Sequence, residues 1–315
     1  MTASSVLTRP HASGARKSPG NPMAGREGSS ELGAQTVREL LLRAVDELRA
    51  AGVDTPVLDA EIMLSRTLGR SRTELLAHPE AVPPQEVVER FSGWVSRRSR
   101  REPLAYIIGE REFYGICFEV SPAVLIPRPE TEILVETAIG LIKDVPAPRI
   151  ADIGLGSGAV AVSIAKAAPD AVIYGTESSV DALEIARRNA QRADAHNRTH
   201  FLQGDLLEPL AGMTFHLIVS NPPYIPSDEI ESLQPEIAKY EPSQALDGGP
   251  DGLECHRRLA GSASAYLEDK GVLAVEVGAG QADAVEGLFR AAGLRGVRSV
   301  RDYSGIERVV LGERG

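Results

Sequence analysis

Cysteine is nearly absent, with Cys117 and Cys255 the only two in 315 residues. That excludes a disulfide framework, offers no zinc-ligand spacing and suits a reducing compartment. Long apolar runs are missing too. None approaches the ~20 residues a membrane-spanning helix needs, so the chain reads as a cytoplasmic protein with no membrane partner. Basic residues are outnumbered, 34 against 44 acids, for a formal charge of −10. Such a balance argues against a partner held mainly through phosphate neutralisation. The one basic run, Arg97-Arg98-Ser99-Arg100-Arg101, reads as a solvated helix face rather than a contact for RNA or an acidic partner.

Internal repeats are absent, and low complexity is confined to the start of the chain. That segment is rich in Ser, Gly, Pro and Ala, carries Arg9, Arg16, Lys17 and Arg26, and holds no acid before Glu27. Its charge bias is that of a transit peptide, but Pro10, Pro19 and Pro22 oppose the amphipathic helix such a signal needs. Residues 1–34 are expected to form a disordered tail, with Met23 as an alternative start.

What is present is a globular composition, 43% hydrophobic and 25% charged, in a chain long enough for one large domain and one small one. Residues 35–104 are helical in pattern. Val37, Leu40, Leu41, Ala44, Val45 and Leu48 recur at helix spacing and stop at Gly52. A second helix is expected from Pro56 to Leu68, a short one from Arg72 to Ala77, and another after Pro83-Pro84 through Val87, Phe91, Trp94 and Val95. Residues 105–131 follow as a hairpin turning at Gly115 and a stiff, extended linker built on Pro122, Pro127 and Pro129.

Residues 132–315 form the second domain, opening with a helix over 132–143. Strands are expected at 149–153, 171–176, 199–203, 215–220, 271–277 and about 306–312. Helices are expected at 158–167, 179–192, 251–267 and 281–292, with a turn near 206–211. This alternation predicts an α/β fold with a mostly parallel, doubly wound sheet, beside a small all-α N-terminal domain.

The first of these strands runs into Asp152-Ile153-Gly154-Leu155-Gly156-Ser157-Gly158 and then a helix. Glycines suit a backbone that turns tightly within contact distance of a ligand. The spacing Gly-x-Gly-x-Gly, with an acid two residues ahead, differs from the dinucleotide pattern Gly-x-Gly-x-x-Gly. It resembles the S-adenosylmethionine-binding motif of class I methyltransferases, in which the loop holds the amino-acid part of the cofactor. Glu177 ends the next strand, where a carboxylate can accept from both ribose hydroxyls; most of that class has Asp there. Asp205 ends the strand after it, and the resemblance implies that Asp205 binds the adenine amino group while Leu206 packs on the ring.

A buried strand, Phe215 to Ser220, ends in Asn221-Pro222-Pro223-Tyr224. Two prolines fix the backbone twice and donate no N–H. An amide or exocyclic amino nitrogen is a poor nucleophile because its lone pair is delocalised. The Asn221 side-chain oxygen and the Pro222 carbonyl can each accept one N–H from such a group, and Tyr224 can pack against its plane. Rate then comes from positioning and desolvation, with no metal required.

At these residues the chain resembles the HemK/PrmC family, the protein-(glutamine-N5) methyltransferases that modify the Gly-Gly-Gln glutamine of class I peptide chain release factors in support of translation termination. The resemblance covers roughly residues 36–313. It includes 109–115 (GEREFYG), 125–132 (LIPRPETE), the glycine loop, 221–224 (NPPY), 240–242 (YEP), 245–249 (ALDGG) and 302–308 (DYSGIER). It implies that Phe113 and the segment Arg128 to Thr131 border the cofactor and substrate pocket, with Arg128 and Glu130 binding substrate, and that the helical domain docks the release factor. The chain is expected to be a monomer, and its acidic balance to leave it with no direct dependence on nucleic acid. Three other readings stay open: a glutamine methyltransferase for a ribosomal protein, an adenine-N6 methyltransferase for DNA or RNA, and a non-catalytic binding module.

Overall fold

A computed structural model describes residues 35–315; the expected tail and the Met23 start lie outside the described residues. Helix α1 (Val37–Ala50) opens with a reciprocal cap. Glu39 N donates to the Thr36 hydroxyl at 3.3 Å, and Thr36 N donates to the Glu39 carboxylate at 2.8 Å. Helix α2 (Pro56–Leu68) starts on a proline and stops at Gly69, whose φ of 65° ends the turn. Helices α3 (Arg72–Ala77) and α4 (Gln85–Ser99) follow. Their shared core is Leu40, Ala44, Leu48, Met63, Leu64, Leu75, Phe91 and Val95, all buried. A fifth helix, α5 (Leu104–Ile108), stands where a hairpin and linker are expected to begin.

The basic run is not a solvated face. Arg98 is 6% exposed and donates to Asp59 at 2.7 Å and to Glu236 at 2.8 Å. Arg101 makes a two-pronged pair with the same Glu236, at 2.6 and 2.7 Å, and Arg97 pairs with Glu102. The acids that neutralise Arg98 and Arg101, Asp59 and Glu236, are far away in sequence, which local charge patterning does not reveal.

Strands β1 (Glu110–Phe113) and β2 (Ile116–Glu119) form a hairpin. Its two turn residues, Tyr114 and Gly115, both have positive φ, the twist that matches a two-residue connection. The proline linker does not stay extended to its end: Pro129–Thr131 curls into a 3-10 turn that leads into α6 (Glu132–Ile142).

From Arg149 the chain alternates strand and helix: β3 (Arg149–Ile153), α7 (Ala159–Ala167), β4 (Val172–Glu177), α8 (Val180–Arg192), β5 (Thr199–Gln203) and β6 (Phe215–Ser220). A long excursion containing α9 (Pro235–Tyr240) leads to α10 (Glu254–Ala263), β7 (Leu267–Glu276), α11 (Ala282–Ala291), β8 (Arg295–Arg301) and β9 (Glu307–Glu313). The sheet order is β5-β4-β3-β6-β7-β9-β8. The first five strands are parallel, and β9 runs antiparallel to both β7 and β8. This is the doubly wound, mostly parallel sheet expected, with one strand more.

That strand, β8, is an edge strand whose valines, 297 and 300, are three apart. Its pairing shifts register between Arg295 and Arg298 and again at Arg301, so no period of two exists to be read. Chain order reverses between β3 and β6, and a doubly wound sheet binds ligands outside the strand ends at such a crevice. Among the described residues, no helix is long and apolar enough to cross a membrane.

Candidate active site

A cleft opens at the carboxyl ends of β3, β4 and β6, lined on one side by the glycine loop. Gly154, Gly156 and Gly158 all have positive φ, at 80°, 52° and 78°. The loop is tied down by its neighbours: Gly154 N and Leu155 N donate to the Thr176 carbonyl at 3.0 and 3.1 Å. Gly158 sits at the start of α7, where an added Cβ would lie 3.1 Å from the Ala186 Cβ, so it does not line the cleft but lets α7 and α8 approach. Asp152, Gly154, Leu155, Gly156 and Ser157 do line it.

Asp152 is 2% exposed and accepts the Ala161 N–H at 3.0 Å. Burial pushes its pKa up to about 7, and the charge of Glu177 adds to the effect. Glu177 bends back over the loop, taking Gly156 N on one oxygen at 2.9 Å and Ser179 N on the other at 3.0 Å. The Ser178 hydroxyl adds a longer contact at 3.4 Å, so of about four acceptor positions on a carboxylate one remains free for a ligand hydroxyl. Asp205 lies on the rim, ion-paired with Arg258, and Leu206 beside it takes a positive φ of 45°. Both line the cleft, as do Val124, Leu125 and Val160.

Of the tetrapeptide, Asn221 and Pro223 line the cleft, whereas Pro222 is buried behind them. The Asn221 side-chain nitrogen donates to the Thr131 hydroxyl at 3.1 Å, leaving its oxygen without that partner. Tyr224 stands outside the cleft wall. Its hydroxyl is 3.4 Å from Glu276, and its carbonyl accepts from Gln281 at 2.8 Å. Burial, with the Glu276 charge beside it, raises the phenol's pKa. The excursion after Tyr224 folds back beside it: Ile225 N donates to the Leu246 carbonyl at 3.0 Å, and Gly248 N to the Ile225 carbonyl at 2.8 Å.

Phe113 does not border the cleft. The hairpin turns its ring inward, 2% exposed, edge-on to Phe118 with centroids 6.1 Å apart. Glu130 is exposed and also off the cleft wall. Arg128 does line it and pairs at 2.5 Å with Glu241, whose pKa burial raises and Arg128 draws back. Thr131, at the end of the linker segment expected to border the pocket, does line the cleft, whereas Glu276 is a residue that sequence reasoning passed over. The only signal for Glu276 was an acid inside an apolar run, Leu273-Ala274-Val275-Glu276-Val277.

The PrmC N-terminal domain family matches residues 39–109, and the methyltransferase small domain family matches residues 130–238. The release factor glutamine methyltransferase of Geobacter sulfurreducens is 44% identical over 89% of this chain and 97% of its own length. That of Caulobacter vibrioides is 42% identical over 85% of this chain and 93% of its own. This chain belongs to the release factor glutamine methyltransferase family. Among solved structures, the hMettl16 catalytic domain in complex with MAT2A 3'UTR hairpin 6 superposes with TM-score 0.53 at 13% identity. It covers 76% of this chain and 86% of its own length, a likeness of fold alone.

Family membership makes the chain an S-adenosylmethionine-dependent methyltransferase, and the cleft fits that cofactor. It offers a side-chain-free backbone cradle at Gly154 and Gly156, acids at the ends of β4 and β5, and an apolar wall from Val124, Leu125 and Val160.

Proposed function

We propose that this chain methylates the side-chain amide nitrogen of the glutamine in the Gly-Gly-Gln motif of class I peptide chain release factors, and so supports translation termination in the cytoplasm. The observation that carries the reading is the orientation of Asn221: with its nitrogen spent on Thr131 at 3.1 Å, its oxygen is the end offered to the cleft. A primary amide needs acceptors for its two N–H groups, and Asn221 Oδ1 and the Pro222 carbonyl supply them.

In this reading the glycine loop and Asp152 hold the amino-acid end of the cofactor, Glu177 its ribose hydroxyls, and Asp205 with Leu206 its adenine. S-adenosylmethionine supplies an activated methyl group on a sulfonium, so no strong base is needed. The chain's own residues hold the amide nitrogen facing that methyl group and exclude water around it. Arg128 borders the glutamine's approach. The helical domain, residues 35–104, docks the body of the release factor.

The test is transfer of radiolabelled methyl from S-adenosylmethionine to a purified release factor. Parallel reactions contain the same factor with Gly-Gly-Gln changed to Gly-Gly-Ala, ribosomes, or DNA. Label on the unaltered factor alone is the expected result. Label on the Gly-Gly-Ala factor, on a ribosomal protein or on DNA overturns it.

A further inference from the structure

The excursion that leaves the tetrapeptide also returns to it. Its two ends close beside Tyr224, where Ile225 N donates to the Leu246 carbonyl and Gly248 N to the Ile225 carbonyl. Helix α9 lies in its middle and is held mainly by polar contacts. Its six residues are too few for a helix to stand by itself, and none of them is fully buried. Glu236, in the first turn, takes Arg98 at 2.8 Å and both prongs of Arg101 at 2.6 and 2.7 Å. Tyr240, the last residue, donates its hydroxyl to the Arg100 carbonyl at 2.8 Å. All of these partners lie in the last turn of α4 or just after it.

Glu241 follows directly. It is 7% exposed, and one of its carboxyl oxygens accepts from Arg128 at 2.5 Å. Among the described residues it is the one acid paired with Arg128. Arg128 lines the cleft, and its carbonyl accepts the Thr131 N–H at 3.1 Å, closing the 3-10 turn. The Thr131 hydroxyl in turn accepts the Asn221 side-chain N–H at 3.1 Å.

We propose that Glu241 is a positioning residue: at the end of a polar tether that runs from α4 through α9, it holds Arg128 and with it the turn that orients Asn221. The proposal rests on the reading of Asn221 as the acceptor for the substrate amide.

Continuity of the contacts carries the case. Every link from α4 to Asn221 is a hydrogen bond or a short piece of backbone. Pro127 and Pro129 fix φ on either side of Arg128, so Arg128 is the residue between them whose backbone is free to rotate. Pinning its side chain limits that rotation and sets where Thr131 stands. Without the Glu241 carboxylate, the guanidinium is free to swing into the cleft it lines, where the substrate amide must lie. Packing does not account for Glu241 either. Its second oxygen is buried with no hydrogen-bond partner among the described residues, a cost that an apolar side chain of the same volume would not carry. Because the helices at the start of the tether are the ones read as the release-factor dock, the tether joins docking to the aim of Asn221.

The deciding experiment measures kcat on a release factor at saturating S-adenosylmethionine, well below the melting temperature. It compares the full-length protein with Glu241→Gln, Glu236→Gln, Arg128→Ala and the double variant of Glu241→Gln with Arg128→Ala. Calorimetry reports cofactor affinity for each. Glu241→Gln is expected to lower kcat by between about ten- and about a hundredfold, the scale of a misplaced reacting group, with cofactor affinity unchanged. Glu236→Gln, at the far end of α9, should lower it by less. Because Glu241 acts through Arg128, the double variant should lose little more than Arg128→Ala alone.

Wild-type kcat in Glu241→Gln or in Glu236→Gln overturns the proposal, even with a lowered melting temperature, since a merely structural contact gives that pattern. Fully additive losses in the double variant overturn it too. Should Glu241→Gln fail to fold, Glu236→Gln carries the test. A wild-type protein inactive on the release factor sinks the underlying functional reading instead.

Discussion

The Asn221 side chain reaches across 90 residues of sequence to donate its amide N–H to the Thr131 hydroxyl at 3.1 Å. The pair joins the end of β6 to the turn that closes the proline linker, so the linker orients the tetrapeptide as well as connecting the hairpin to α6. If the free Asn221 oxygen holds the substrate nitrogen, Asn221→Ala lowers kcat by at least about a hundredfold, the scale of losing one preorganised polar group at the reacting centre. Cofactor affinity, measured by calorimetry, stays near wild type. Loss of cofactor binding in this variant makes Asn221 a support of the fold instead.

Gly158 and Gly69 offer a paired test of the glycine loop. Both have positive φ, 78° and 65°, but an added Cβ at Gly158 meets Ala186 at 3.1 Å, while at Gly69 nothing lies within 4 Å. Each alanine incurs roughly 1–2 kcal/mol of left-handed backbone strain. Gly158→Ala adds the contact that forces α7 from α8. Its melting temperature should fall by roughly 3–6 °C in a calorimetric scan, given the scaling for domains of this size, and cofactor affinity should fall with it. Gly69→Ala should show a smaller drop with affinity intact. Equal effects of the two on cofactor binding would refute the role of close helix approach.

The glycine loop and the tetrapeptide were legible because their chemistry is local. A tight turn needs closely spaced glycines, and a rigid carbonyl-presenting loop needs consecutive prolines, so neighbouring letters suffice. The alternation of the parallel strands was legible for the same reason, through runs such as Phe215 to Ser220. What escaped is what depends on distance in sequence. Arg98 reads as a surface charge until Glu236 of α9 is placed 2.8 Å from it. Phe113 lies in a segment resembling a cofactor-bordering one, yet the hairpin turns its ring into the core. Thr131 belongs to the linker run, yet its partner shows only when Asn221 is placed 3.1 Å from it, and Glu276 reads as an acid within an apolar strand until the Tyr224 hydroxyl is placed 3.4 Å from it.

Asp152 makes stability depend on pH in an unusual direction. Burial raises its pKa to about 7, against roughly 3.9 for an unfolded aspartate. A carboxyl raised by folding contributes stability that is fully present below the unfolded value and lost as pH rises through the folded one. The cofactor-free protein should therefore lose stability between about pH 4 and pH 7 from this group, and Glu276 adds in the same sense. Asp152→Asn, which keeps an oxygen for the Ala161 N–H, should raise the melting temperature at pH 8 more than at pH 5. An equal gain at both values would mean that Asp152 stays ionised in the folded chain.

Glu236 behaves in the opposite sense. Burial alone would raise its pKa, but hydrogen bonds from Arg101 and Arg98 outweigh that and hold it down at about 2. A carboxyl lowered by folding stabilises above its unfolded value and loses that contribution as pH falls through the folded one, here between about pH 4.5 and pH 2. Because Glu236 lies on α9 and its arginines on and just after α4, the loss should first loosen the helical domain's hold on the segment leading to Glu241 and Arg128. Glu236→Gln should destabilise the protein at pH 7 by about 3 kcal/mol, the low end for breaking a buried pair, since Arg98 keeps Asp59 at 2.7 Å. Its urea stability should also vary less with pH below 4.5 than that of the wild type. Parallel pH profiles for the two proteins would show that the clamp contributes nothing to acid sensitivity.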